Sequence, residues 1–196
     1  MIIFSANNRK KVFTVGRYGA KITMEKVGVD MEIGVSSSCF YPELIEKSLE
    51  TVGHLGAKTA EIFFNSPCEL EGKILKELCR IKDYYGIQIR SVHPFTSGYE
   101  PFLIFSSYSR RTNDSIDFYK RYFAAANELG AELVVLHGGR DRKGYTPELY
   151  AENYIKLHNE ARKSNLFIAQ ENVNSFYCSD PYIMKNIADA VGDEFR

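Results

Sequence analysis

The chain has 196 residues, 44% hydrophobic and 13% aromatic, and its 25 basic and 25 acidic side chains cancel. That length and composition suit one globular domain with a substantial core, and the balanced charge gives no whole-molecule field favouring nucleic acid, an anionic membrane or a polyanionic substrate. No apolar run reaches the roughly 18 residues of a spanning helix, and Met1-Ile2-Ile3-Phe4 is too short for the core of a signal peptide, so we expect a cytoplasmic protein with no membrane partner.

Residues 1–30 carry Arg9, Lys10, Lys11, Arg17, Lys21 and Lys26 against Glu25 and Asp30, with Gly16, Gly19 and Gly28 and an alternating stretch around Val12 to Val15. A small hairpin at the base of the fold, a nucleic-acid arm, or sequence upstream of a start at Met31 would each account for them. We take 1–30 as an appendage without catalytic role and 31–196 as the folded domain.

From Met31 onward one unit recurs: a β-rich run, a polar turn, an amphipathic stretch, then a helix stop followed at once by the next apolar run. The strands expected are 32–36, 58–64, 87–93, 132–137 and 166–171, and the helices 42–55, 69–85, 113–129, 147–164 and 181–191. Gly56, Gly86 and Gly130 stand where helices need a left-handed stop, and Asn165 fills the same place before the last strand. Pro42, Pro147 and Pro181 suit first helical turns, with Thr146 and Asp180 as caps.

The helices show one apolar face each: Ile45, Leu49, Val52 and Leu55; then Ile116, Tyr119, Phe123, Ala126 and Leu129; then Tyr150, Tyr154, Leu157 and Ala161. Leu133-Val134-Val135-Leu136 and Leu166-Phe167-Ile168-Ala169 are continuously apolar, as parallel strands covered on both faces require. The stretch 94–112 is too long for an ordinary βα connection and holds Phe95, Tyr99, Phe102, Phe105, Tyr108, Arg110 and Arg111. At the end of a strand it serves as a substrate-contacting lid or as a self-packed loop over the mouth of the fold.

In a parallel β/α barrel, polar groups just past the strands converge on one mouth. Three successive strands offer one: Ser91-Val92-His93-Pro94-Phe95, Val135-Leu136-His137-Gly138-Gly139, and Ala169-Gln170-Glu171-Asn172-Val173. With strands roughly 4.8 Å apart, His93, His137 and Glu171 can face a common small volume. Two imidazoles and a carboxylate suit a divalent metal or general acid/base work. A lone strand-end histidine is as often structural, but a carboxylate behind four apolar residues is costly to bury without a cation.

His54 and His158 fall within amphipathic helices and read as surface or packing residues. Arg140-Asp141-Arg142-Lys143-Gly144 could hold a phosphate at the mouth, although a solvated charge run is the default. Cys39, Cys68, Cys79 and Cys178 show no CxxC spacing and read as free thiols.

The three strand-end motifs, in this order and spacing, and Ala60-Glu61-Ile62-Phe63-Phe64-Asn65 on the second strand, resemble the xylose-isomerase-like superfamily over about 31–196. That group includes sugar phosphate isomerases and epimerases, inosose dehydratases and zinc-dependent apurinic-site endonucleases. The resemblance implies a (β/α)₈ TIM barrel of which this chain holds about five βα units. It also implies a metal-assisted isomerase or epimerase acting on a sugar or sugar phosphate, with Mn²⁺, Mg²⁺ or Zn²⁺ as cofactor. In the isomerases and epimerases the residue matching Glu171 ligates the metal and takes part in proton transfer, while those matching His93 and His137 mostly contact substrate; in the endonucleases the histidines are zinc ligands. We therefore expect Glu171, His93 and His137 as catalytic residues and as candidate metal ligands.

The family pattern takes further ligands from its sixth to eighth strands, and this chain stops at Asp193-Glu194-Phe195-Arg196. An open sheet with weak turnover and self-association through its edges is the corresponding expectation. The rival readings are an apurinic-site endonuclease-like hydrolase, against which the neutral charge argues, and a non-catalytic barrel fragment.

Overall fold

In the computed structural model, which describes residues 2–5, 32–140, 146–193, 195 and 196, six strands form one sheet in the order β1-β2-β3-β4-β5-β6. β1 (Ile2–Ser5) runs antiparallel to β2 (Glu32–Ser36), and from β2 onward every pairing is parallel: β3 (Thr59–Phe63), β4 (Gln88–His93), β5 (Leu133–Leu136) and β6 (Phe167–Gln170). Each parallel strand is followed by a helix: α1 (Ile45–His54), α2 (Gly72–Tyr85), α3 (Ser109–Leu129), α4 (Pro147–Arg162) and α5 (Pro181–Val191). This is the expected partial barrel of five βα units, and its strands lie within two residues of the expected bounds.

The helix stops behave as the sequence implies. Gly56, Gly86, Gly130 and Asn165 have φ of 78°, 64°, 73° and 58°. The Thr146 side chain accepts a hydrogen bond from the Leu149 N–H, and that of Asp180 from the Tyr182 N–H.

Three boundaries differ from expectation. Pro42 is not in a first helical turn. The Ser36 hydroxyl accepts from the Ser38 N–H and winds Ser37–Phe40 into a 3₁₀ turn, which delays α1 until Ile45. With α1 ending at His54, Leu55 leaves the apolar stripe and is 66% exposed. Glu69 belongs to a separate 3₁₀ turn (Pro67–Leu70), where its carboxylate accepts from the N–H groups of Asn65 and Ser66. α3 begins at Ser109, so the connection after β4 is shorter than the sequence implies and contains its own 3₁₀ segment (Ser97–Phe102).

The core is one apolar cluster between sheet and helices. It includes Ala60, Ile62 and Phe64 near β3, Val134 and Leu136 on β5, and Ile168 on β6. Four tyrosines on α3 and α4, Tyr119, Tyr122, Tyr150 and Tyr154, are fully buried. A buried phenol needs a partner. Tyr154 donates to the Ile168 carbonyl at 2.8 Å, and Tyr119 and Tyr150 reach the site described below.

The edges are less open than expected. β1 pairs with the outer side of β2, Ile2 opposite Val35 and Phe4 opposite Ile33. On β6 the Gln170 N–H donates to the Arg196 carbonyl at 2.7 Å. The basic residues and glycines of the first thirty positions lie outside the described residues. Among the described residues, no helix is long and apolar enough to cross a membrane.

Candidate metal centre

The parallel ladder brings the three strand-end residues together. His93 closes β4, His137 follows β5, and Glu171 follows β6. Leu136 pairs with Gln170, and the Glu171 N–H donates to the Leu136 carbonyl at 2.8 Å, which carries the ladder one step past the strands. Nε2 of His93 lies 3.0 Å from Nε2 of His137 and 3.3 Å from Oε2 of Glu171, and Nε2 of His137 lies 3.1 Å from that same oxygen. Among the described residues, these three form the one group of histidine, cysteine and carboxylate ligands close enough to hold a metal.

Their orientations have local causes. The His93 ring is buried, stacks on Phe63 at 4.5 Å between centroids, and sets Nδ1 3.2 Å from the Pro94 carbonyl. A carbonyl only accepts, so Nδ1 carries the hydrogen and a neutral His93 turns its Nε2 lone pair to the site. The His137 ring sits edge-on between His93 and Phe176, at 4.8 and 5.3 Å. When His137 carries a hydrogen on Nε2 and His93 is protonated on both nitrogens, their hydrogen bonds, that of His137 first, pull the Glu171 carboxyl down to a pKa of about 2, against the opposing effect of burial.

This donor set fits a divalent cation. With the His93 hydrogen on Nδ1, neutral imidazoles bring at most one proton, that of His137, to two facing nitrogens and a carboxylate oxygen, so the three acceptors are short of donors. Tetrahedral ligands at about 2.0 Å from a metal stand about 3.3 Å apart, and octahedral ligands at about 2.1 Å stand about 3.0 Å apart. The observed separations of 3.0, 3.1 and 3.3 Å span that range.

A ring of residues without assigned roles in the sequence reading holds this turn. The Gln170 amide donates to the carbonyls of Leu136, His137 and Glu171 at 3.0–3.2 Å, and its oxygen accepts from the Tyr150 hydroxyl at 2.5 Å. Gly138 has φ of 89°, and a Cβ there would lie 1.9 Å from the Tyr150 hydroxyl oxygen. Its N–H donates to Oε2 of Glu100 at 2.6 Å. Glu100, fully buried in the loop after β4, also accepts from the Tyr119 hydroxyl at 2.7 Å, and burial pushes its carboxyl up to about 8. The signal that could have found it is a single charged residue in the stretch 94–108, which is rich in aromatic residues.

Other candidates fall elsewhere. Within that loop Phe105 is buried and Tyr99, Phe102 and Tyr108 are exposed. Arg110 and Arg111 are exposed in the first turn of α3. Arg140 is exposed with its guanidinium 4.8 Å over the Phe176 ring, and the rest of its charge run lies outside the described residues. His54 pairs with the Tyr85 hydroxyl at 3.0 Å, and buried His158 stacks on Tyr154. None of the four cysteines is in a disulfide.

Five parallel βα units with a histidine–histidine–carboxylate group at the strand ends define a β/α-barrel protein with a candidate metal site. Residues 49–195 match the family model for the xylose isomerase-like TIM barrel, and the chain belongs to that family. An uncharacterised protein of Methanocaldococcus jannaschii is 31% identical over 128 residues, which is 65% of this chain and 40% of that protein. The structure of D-psicose 3-epimerase with D-tagatose from Clostridium cellulolyticum H10 matches with a TM-score of 0.68 at 17% identity, over 83% of this chain and 61% of the epimerase. An AP endonuclease, family 2, from Brucella melitensis matches with a TM-score of 0.60 at 10% identity, over 83% of this chain and 65% of that one. The chain thus spans less than two thirds of each of these proteins, and the structural likeness is one of fold.

Proposed function

We propose that this chain carries a divalent-metal centre of a sugar isomerase or epimerase, with Glu171, His93 and His137 as its ligands and a sugar or sugar phosphate as its substrate. The observation that carries the reading is the convergence of two Nε2 atoms and one carboxylate oxygen within 3.3 Å at the ends of three neighbouring strands. A bound Mn²⁺, Mg²⁺ or Zn²⁺ would polarise a substrate carbonyl and hydroxyl, and two imidazoles favour Mn²⁺ or Zn²⁺ over Mg²⁺.

The protein's own groups divide the remaining work. Glu171, with its carboxyl held down to about 2, is ionised throughout the neutral range, the state in which a carboxylate binds a cation. The same hydrogen bonds make it a poor base. The Pro94 carbonyl keeps the proton of His93 on Nδ1, and the Phe63 ring fixes the plane of the imidazole. His137, 20% exposed, is the more accessible imidazole for a substrate hydroxyl.

The two-imidazole set also suits a zinc-dependent phosphodiester hydrolase, although zero net charge removes the field that would draw DNA to it. Exposed Cys39 and Cys68, both outside any disulfide, fit a reducing, cytoplasmic setting. Self-association would use the sheet's two edge strands, β1 and β6.

The test is a ketose and ketose-phosphate panel with added Mn²⁺ or Zn²⁺, run beside an abasic duplex, on the chain and its Glu171→Gln variant. We expect weak isomerisation or epimerisation that Glu171→Gln abolishes, because the three ligands found among the described residues do not fill a metal shell. Cleavage of the abasic duplex without turnover of any sugar would replace this reading with the hydrolase. Absence of both, with the metal bound, would favour the non-catalytic fragment.

A further inference from the structure

Glu100 is a fully buried carboxylate, and it sits in a loop whose neighbours Ile104 and Phe105 are buried and apolar. Its two oxygens serve two elements: Oε1 accepts from Tyr119 on α3, and Oε2 accepts from the N–H of Gly138. That N–H belongs to the peptide joining His137 to Gly138. The carbonyl of the same peptide accepts from the Gln170 amide at 3.0 Å, and Gln170 is oriented by Tyr150. One peptide plane is therefore gripped at both ends, by the loop after β4 on one side and by β6 on the other. Tyr150 also blocks the space beside Gly138, so the turn has no room to relax in that direction.

We infer that Glu100 is a positioning residue for the metal centre: it fixes the His137–Gly138 peptide and through it the aim of the His137 imidazole, so that the packing of the loop after β4 sets the geometry of the ligands. This rests on the reading of His137 as a ligand. Satisfying one buried N–H does not by itself call for an acid. A neutral acceptor or a water would do so without the cost of burying an ionisable group. A carboxyl offers two acceptor oxygens, so one side chain meets the Gly138 N–H and the Tyr119 hydroxyl of α3 at once. Outer partners of this kind typically contribute about 10–100-fold to metal affinity.

The experiment compares Glu100→Met, which keeps volume and removes the acceptor, with Glu100→Gln, which keeps an acceptor for Gly138. Tyr119→Phe serves as a control that removes the other hydrogen bond and leaves the grip on Gly138 intact. Two readouts are taken: Co²⁺ affinity with its visible absorption spectrum, and the imidazole ¹⁵N resonances of His93 and His137 in metal-free protein.

Glu100→Met is expected to weaken Co²⁺ by about tenfold or more, alter the Co²⁺ bands and move the His137 resonances far more than those of His93. Glu100→Gln and Tyr119→Phe should keep both near wild type. If Glu100→Met does not fold, Glu100→Asp, one methylene too short to reach, makes the same comparison. Wild-type Co²⁺ affinity and unmoved His137 resonances in a variant that merely melts lower would overturn the inference. If the wild-type chain binds no Co²⁺, the metal reading fails, and the metal-free His137 resonances still decide whether Glu100 sets that side chain.

Discussion

Nε2 of His93 and Nε2 of His137 lie 3.0 Å apart across the mouth of the sheet, with the Glu171 carboxylate in contact with both. Because the Pro94 carbonyl holds the His93 proton on Nδ1, at most one proton stands between the two facing nitrogens when the rings are neutral. The site is arranged around positive charge, supplied by an imidazolium or by a cation.

The turn after β5 should tolerate no side chain at position 138. Gly138→Ala combines a positive φ with a Cβ 1.9 Å from the Tyr150 hydroxyl oxygen, and we expect a loss of about 1–3 kcal/mol in chemical denaturation. Adding Tyr150→Phe removes the nearest clashing atom, so the double variant should lose less than the sum of the two single ones. Strict additivity would show that the close approach does not govern this turn.

Glu100 should give the metal-free protein a distinctive pH dependence. Its folded pKa of about 8 stands above the ordinary carboxyl value of about 4.3, so the native state holds this proton more tightly than the unfolded state between those limits. The contribution of Glu100 to stability therefore falls as pH rises from about 4 to about 8 and levels off above. Glu171 acts in a separate window, because its contribution is present above about 4.3 and is lost as pH falls toward about 2. Measured in chelator by urea unfolding, the stability difference between wild type and Glu100→Gln should move in favour of the variant from pH 5 to 8. A difference independent of pH would contradict the burial of Glu100 as an acid.

The cysteines should separate by reactivity. Cys178 is buried and burial pushes its thiol up to about 11, whereas Cys39 and Cys68 are exposed. Alkylation by iodoacetamide at pH 8, followed by mass spectrometry, should label Cys39 and Cys68 quickly and Cys178 only on unfolding. Early labelling of Cys178 would mean that the packing between α4 and α5 opens readily.

The fold was legible where local chemistry repeats. Glycine or asparagine stops, proline starts and apolar runs at 133–136 and 166–169 mark five βα units, because each unit obeys the same backbone constraints. The site was legible in part, since strand ends are where parallel sheets present polar groups, and that rule singles out His93, His137 and Glu171. What escaped depends on contacts distant in sequence. Glu100 reads as one charge in a loop until Gly138 comes to meet it, and Gln170 reads as a strand residue until its amide spans three carbonyls. The pairing of β1 with β2 escaped for the same reason, four residues being too few to carry a period across the stretch that separates them. Leu55 was misplaced because periodicity continues past the point where α1 stops.

The central claim is that His93, His137 and Glu171 hold one divalent cation, and pulsed electron paramagnetic resonance of the Mn²⁺-loaded chain tests it most directly. Electron spin echo modulation should report two coordinated imidazole nitrogens, reduced to one in His93→Gln and in His137→Gln, with Mn²⁺ binding lost in Glu171→Gln. Mn²⁺ that binds without nitrogen modulation, or modulation unchanged by both histidine substitutions, would contradict the account.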